Sequence, residues 1–142
     1  MTGSNIPAAL LLAESLGADA VGINCSLGPE QMESFVDEML TLTNLPIVIN
    51  PNAGLPVSVN GETSYPVGPE EFYAYMERFA EKGAAILGGC CGTTEEHIAA
   101  LKAALKDAEY VRPAPECLDL LPAATEKEAF FLPADATHGA VL

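Results

Sequence analysis

The stretch Gly83-Ala84-Ala85-Ile86-Leu87-Gly88-Gly89-Cys90-Cys91-Gly92-Thr93-Thr94-Glu95-Glu96 decides the fold. Its four apolar residues, Ala84 to Leu87, are too few for a helix and read as a buried strand. Gly83 before them is a helix-closing glycine, and the glycines after them predict a turn. Thr93 and Glu96 then form a capping-box pattern, opening a helix that Ile98, Leu101 and Leu105 carry to about Asp107. Helix end, strand, turn and helix start make one βα unit.

Working outward, the same unit recurs twice upstream. Gly68-Pro69-Glu70-Glu71 opens a helix with Phe72, Met76 and Phe79 on one face, closed by Lys82-Gly83. Before it, Pro46 to Ile49 reads as a β-branched strand running into Asn50-Pro51-Asn52-Ala53-Gly54. The connection from Leu55 to Gly68 is long for a βα unit, and such loops are functional or disordered. Pro29 and Glu30 start a helix with Met32, Phe35, Val36 and Met39 on its apolar face. Ala20 to Ile23 is a short strand ending at Asn24-Cys25, preceded by a helical pattern from Ile6 to Leu16 that Gly17 stops. Alternating apolar strands and amphipathic helices predict an α/β fold with a parallel sheet. Met32, Phe35, Met39, Phe72, Met76 and Phe79 are expected in the core rather than in a cofactor box. From Arg112, Pro113, Pro115, Pro122 and Pro133 break the pattern. Residues 1–110 are therefore expected to be the folded part, and 111–142 a linker or docking tail with room for a short helix at Ala124–Phe131.

The chain has 142 residues, with 6 basic and 20 acidic side chains and a net charge of −14. Such a surface repels phosphate backbones and offers no polybasic membrane patch, so neither nucleic acid nor membrane is an expected partner. No apolar run approaches the ~20 residues of a membrane span. The first residues lack a basic segment and a cleavage site, so no signal peptide is read and a cytoplasmic, reducing location is expected. In that compartment clustered cysteines are more often metal-binding or catalytic than disulfide-bonded.

Four cysteines are present: Cys25, Cys90, Cys91 and Cys117. Cys25 follows Gly17 by eight residues, and Cys91 follows Gly83 by eight. The two thiols are thus expected at equivalent carboxyl ends of parallel strands, where α/β folds place their chemistry. With one strand between them they would stand roughly 10 Å apart on a flat sheet. Sulfurs sharing a tetrahedral zinc are about 3.8 Å apart, so the side chains would have to lean together. Gly88, Gly89 and Gly92 are expected to let the backbone turn. Spacing alone leaves three readings: a zinc site, buried core thiols, or a vicinal Cys90–Cys91 disulfide.

Gly22-Ile23-Asn24-Cys25, Pro51-Asn52-Ala53-Gly54, and Gly88-Gly89-Cys90-Cys91-Gly92-Thr93-Thr94 with His97-Ile98 together resemble the homocysteine S-methyltransferase family. The resemblance spans about residues 6–106. It implies a (β/α)8 TIM barrel holding Zn2+ on Cys25, Cys90 and Cys91, and methyl transfer to the thiol of homocysteine to form methionine. The nucleophile would be the metal-held homocysteine thiolate. Methylcobalamin, betaine or a methylsulfonium compound would donate the methyl group, and cobalamin and methyltetrahydrofolate would enter through other domains. The Ala124–Phe131 region is similar to the segment joining this barrel to a later domain in some bacterial methionine synthases, which tilts the donor toward cobalamin. Cys117 lies outside the motif and reads as a free thiol.

A full barrel has eight strands, and this sequence carries three. The expected fold is therefore a partial (β/α)8 barrel, its last three βα units, followed by an irregular tail. It would lack the part carrying much of the homocysteine amino-acid binding. It would need the missing amino-terminal half, a companion chain or self-association to cover its open sheet. The competing reading is an inactive zinc-binding or interaction fragment of the same barrel. His97 is expected to face solvent or cap backbone groups, and His138 to be incidental. Asn24, Asn50 and Asn52 stand at strand ends, equally suited to holding loops or touching substrate.

Overall fold

The computed structural model describes residues 3–111 and 120–133. Helix α1 (Ile6–Ser15) leads to strand β1 (Val21–Asn24), helix α2 (Pro29–Leu42) and strand β2 (Ile47–Asn50). A short hairpin, β3 (Val57–Val59) and β4 (Glu62–Ser64), precedes helix α3 (Pro69–Lys82). Strand β5 (Ile86–Leu87) and helix α4 (Glu95–Ala104) complete the βα units, and β6 (Leu120–Ala124) pairs with β7 (Ala129–Pro133).

The three strands that matter for the site are parallel and ordered β1-β2-β5. Their helices cover one face only. Ile47 and Ile49 point into that covered face and are fully buried, with Val21 beside them. Gly22, Val48 and Ile86 share the other face by register, and Ile86 is 53% exposed. Among the described residues the sheet does not close: β1 and β5 are both edges. An apolar groove of about 230 Å3 runs along the outer side of β1, lined by Ile6, Leu10, Ala13, Val21, Ile23 and Met39.

Helix α3 shows why the elements form where they do. Gly68 precedes it, Pro69 is pre-set at its first position, and Glu70 and Glu71 face the positive end of its dipole. Lys82 lies in the last turn, and Gly83 takes a left-handed φ of 115° that stops the helix. Phe72, Met76 and Phe79 recur at helical spacing and are fully buried against the core with Met32, Val36 and Met39 of α2. Burying each such side chain contributes on the order of 1.5–3 kcal/mol. Phe35 departs from expectation: it is 39% exposed, because the buried stripe of α2 runs through Met32, Val36 and Met39 instead.

One expectation gains detail and two are corrected. The long Leu55–Gly68 connection carries the β3–β4 hairpin, turned through Asn60 and Gly61 at positive φ. Helix α4 ends at Ala104, short of Asp107. The tail forms a hairpin where the sequence left room for a short helix: the Thr125 hydroxyl accepts from the Lys127 and Glu128 amides and sets a tight turn between β6 and β7. That turn packs against the start of α1, where the Asn5 amide donates to Lys127 O at 2.8 Å. Cys117 and His138 lie outside the described residues. Among the described residues, no helix is long and apolar enough to cross a membrane.

Candidate metal centre

Cys25 is the first residue past β1. Its amide donates to Asn50 O at 2.9 Å, the last rung joining β1 to β2. Cys25 and Ser26 then both take φ of 65°, a left-handed conformation that costs a non-glycine residue about 1–3 kcal/mol. The turn is closed by Leu27 N donating to Cys25 O at 2.8 Å and by Asn52 N donating to Leu27 O at 2.9 Å. This turn swings the Cys25 thiol sideways across β2.

The second arm follows β5. Cys90 N donates to Pro51 O at 2.8 Å, Cys91 N to the Asn52 side-chain Oδ1 at 3.1 Å, and Ala53 N to Cys91 O at 2.9 Å. Thr93 donates to Cys90 O through its amide at 3.2 Å and its hydroxyl at 2.6 Å. Every backbone polar group of both cysteines is therefore satisfied. Pro51, Asn52 and Ala53 act as the template, and Asn52 is buried. Of the three asparagines weighed from the sequence, Asn52 holds the cysteine loop; Asn24 and Asn50 give backbone rungs at the strand ends.

The hydroxyl of Thr93 is committed to this loop, so it does not cap α4. The cap is Thr94, one residue later, with His97 in the third helical position. His97 Nδ1 accepts from Thr94 N at 3.2 Å, and Nε2 lies 2.9 Å from Val67 O. Since Nδ1 accepts, the proton sits on Nε2 and is donated to Val67. His97 is buried, edge-on to Phe72, rather than facing solvent as one reading of the sequence allowed. Both ring nitrogens are engaged, which leaves neither for a metal.

The equal eight-residue offsets of Cys25 and Cys91 do not mean equal register. Ile49 pairs with Leu87, so one step on, Gly88 is level with Asn50 and hence with Asn24. Cys25 is level with Gly89, and Cys91 lies two residues farther out. Gly92, at φ 78°, folds the chain back. Gly88 and Gly89 keep φ outside the left-handed region; they are needed for space, since a side chain at either would overlap Asn50 or Thr93.

These turns bring the Cys25 and Cys91 sulfurs to 3.7 Å and those of Cys90 and Cys91 to 3.9 Å, with all three inside 4.8 Å. The edge of a tetrahedral zinc–thiolate site is about 3.8 Å, so the triad fits that ion, and three soft donors suit it chemically. All three cysteines are free thiols, and neither buried core packing nor a vicinal disulfide describes them. Cys25 and Cys90 are half-buried and Cys91 is exposed, so one side of the triad is open to solvent.

The thiols are electrostatically unequal. The Ser26 amide lowers the Cys25 pKa, helped by hydrogen bonds from Cys90 and Cys91 and by the Asn52 side chain. Cys90 is raised, first by Cys25 and then by loss of solvation. Tyr65 lies with the base of its ring where a side chain at Gly92 would stand, and the neighbouring Cys91 thiol, followed by loss of solvation, raises its pKa. Sequence reasoning missed Tyr65, which stands in the long connection with no motif to mark it.

The family described as Homocysteine S-methyltransferase matches residues 1–105. The chain belongs to that family. It is 41% identical over 106 residues to the methionine synthase of Mycobacterium leprae (strain TN), covering 74% of this chain and 9% of that protein. It is 35% identical over 105 residues to the selenocysteine Se-methyltransferase of Brassica oleracea var. italica, covering 71% of this chain and 30% of that one. Among solved structures it is similar to the metallated form of the homocysteine methyltransferase MmuM from Escherichia coli. There the TM-score is 0.55 and the identity 30%, over 71% of this chain and 30% of MmuM. The chain thus spans under a tenth of the methionine synthase and about a third of the other two proteins.

Proposed function

We propose that residues 1–110 are the carboxyl-terminal part of a (β/α)8 homocysteine-binding barrel, and that Cys25, Cys90 and Cys91 hold Zn2+ there for methyl transfer to homocysteine, giving methionine. Residues 111–142 serve in this reading as a linking or docking tail. The observation that carries the proposal is the triad itself: three thiols from two strand ends, within 4.8 Å, in a chain of this family.

When bound, zinc supplies a Lewis acid that keeps an acceptor thiol in its thiolate form, the nucleophilic one. The chain's own residues prepare that site. The three cysteines must give up their protons to hold the metal, and the Ser26 amide makes Cys25 easier to ionise than Cys90. Pro51 O, Asn52 Oδ1 and Ala53 N fix the Cys90–Cys91 backbone, so little ordering remains to be done when the ion arrives. The exposed side at Cys91 leaves an approach for the acceptor. The likeness to a methionine synthase favours cobalamin and methyltetrahydrofolate, carried by other domains, as the source of the methyl group.

The open sheet face and the groove along β1 support a need for further βα units, from an amino-terminal half, a companion chain or a second copy. Alone, the zinc-loaded chain is expected to form no methionine, and measurable turnover would contradict that. The same open sheet favours a second reading, a fragment that holds zinc without binding substrate. Calorimetry of homocysteine with the zinc-loaded chain separates the two. Release of about one proton per homocysteine supports the enzyme module, and no binding supports the inactive fragment.

A further inference from the structure

Two asparagines at the strand ends carry side chains that the loop scaffold leaves unused. Register sets Asn24 opposite Asn50, and Asn50 level with Gly88, at the carboxyl ends of β1, β2 and β5. Strand alternation puts both on the sheet face that carries Gly22, Val48 and Ile86, the one the helices leave uncovered. Gly88 makes room for Asn50: a Cβ there would stand 2.4 Å from the Asn50 Oδ1, so this carboxamide lies across the end of β5. Asn24 is exposed and Asn50 half-buried. The carboxamides of Asn5 and Asn52 are committed to backbone amides, those of Ala8 and Cys91. Among the described residues, the carboxamides of Asn24 and Asn50 hold no such bond. Both stand next to the thiols. Asn24 directly precedes Cys25, and Gly88 precedes Cys90 by two residues. Cys25 is level with Gly89, so the two carboxamides lie one residue, about 3.3 Å, back along the strands from it. The two methylenes between the sulfur and the α-carbon of homocysteine span a comparable length.

We propose that Asn50, with Asn24 beside it, is a specificity-determining residue: its carboxamide hydrogen-bonds the charged α-amino acid end of the thiol acceptor whose sulfur goes to the triad. The inference rests on the proposed metal and acceptor roles of the site and deepens them, because it gives the amino-acid end a contact within this chain. A carboxamide suits both charges of a zwitterion, its oxygen accepting from the ammonium and its NH2 group donating to the carboxylate. Hydrogen bonds to charged groups are the stronger ones, and losing one lowers affinity by about tenfold or more. A simple alkyl thiol has no group for these carboxamides to hold, so it gains nothing from them.

The test uses the whole chain loaded with Co(II), whose visible absorption changes when a further thiolate joins the metal. Two probes are titrated: L-homocysteine, and 1-propanethiol, which is the same thiol without its ammonium and carboxylate. In Asn50→Ala, homocysteine affinity is expected to fall about tenfold while propanethiol affinity stays within about twofold of the parent value. Asn24→Ala is expected to show the same selectivity to a smaller extent. Comparing each variant with the parent cancels the intrinsic difference between the two thiols, and the propanethiol affinity reports that the metal centre is intact. A loss shared equally by both thiols, or by neither, overturns the inference and leaves the thiol-binding metal centre standing. Loss of Co(II) uptake in both variants makes the carboxamides structural and overturns it as well. An unaltered chain that takes up Co(II) and then neither thiol overturns the acceptor reading together with this one.

Discussion

Cys25 and Cys91 bring their sulfurs to 3.7 Å although they are 66 positions apart in sequence and a whole strand, β2, lies between them. Neither reaches the other by extending along its strand. Cys25 turns sideways through two left-handed residues, and Cys91 is carried two residues beyond the level of its partner and folded back at Gly92. The strand they bridge supplies the scaffold, because the chain leaving β2, Pro51 to Ala53, hydrogen-bonds the second arm at three points. The close approach is built from backbone and asparagine contacts.

Asn52 is the side chain on which that scaffold turns. Replacing the buried Asn52 by Ala leaves the part-buried Cys91 amide without its acceptor. A loss of about 1–3 kcal/mol in urea-denaturation stability is expected. Zinc affinity, measured by competition with a chromophoric chelator, should fall by about 10–100-fold as the second arm loosens.

His97 links α4 to the segment that carries Tyr65. His97→Ala removes the acceptor for Thr94 N and the donor to Val67 O and leaves a hole beside Phe72. The expected cost is about 2–4 kcal/mol, read from denaturation midpoints. Zinc stoichiometry should survive, since His97 holds no ligand position.

The metal-free thiols should ionise in order. Because Ser26 lowers Cys25 and the neighbouring thiol raises Cys90, iodoacetamide titrated over pH should modify Cys25 at lower pH than Cys90. Peptide mapping after short exposures reads this directly. Modification of Cys90 first would contradict the described environment.

Lys82 ties α3 to α2 through Asp37 at 2.7 Å and Glu33 at 3.1 Å. These carboxylates, Asp37 foremost, raise its pKa. A raised folded-state pKa gives a contribution that is full below the unfolded lysine value, about 10.4, and is lost as pH rises through the folded value. Lys82→Met should therefore cost under about 1 kcal/mol near neutral pH, because the pair is partly exposed. The difference from the parent chain should shrink with added salt and vanish at high alkaline pH.

The strands and the thiols were legible in the sequence because each is marked locally. Short apolar runs lie between helix-closing glycines, and Gly-Gly-Cys-Cys-Gly stands alone in composition. That Cys25, Cys90 and Cys91 stand together was expected through the family resemblance, since spacing alone left three readings open; the fold brings their sulfurs within 4.8 Å. Features that depend on long-range pairing were not. The two-residue offset between Cys25 and Cys91 follows from the β2–β5 register, which no local pattern records. Thr93 reads as a helix cap in isolation, but its hydroxyl is taken by Cys90 O. The short helix for which Ala124–Phe131 left room gave way to a hairpin because the Thr125 hydroxyl organises a turn and strand pairing satisfies the flanking backbone. Tyr65 carries no signal at all; only the fold puts its ring against Gly92.

The central claim is that Cys25, Cys90 and Cys91 form one zinc site in this chain. Zinc content of the reduced, chelator-stripped and reloaded protein tests it most directly, measured alongside Cys25→Ser, Cys90→Ser, Cys91→Ser and Cys117→Ser. About one equivalent is expected in the parent chain and in Cys117→Ser, with less than about a tenth retained after dialysis in each of the other three. Less than about a tenth of an equivalent in the parent chain, or a full equivalent retained by Cys25→Ser, would contradict the account.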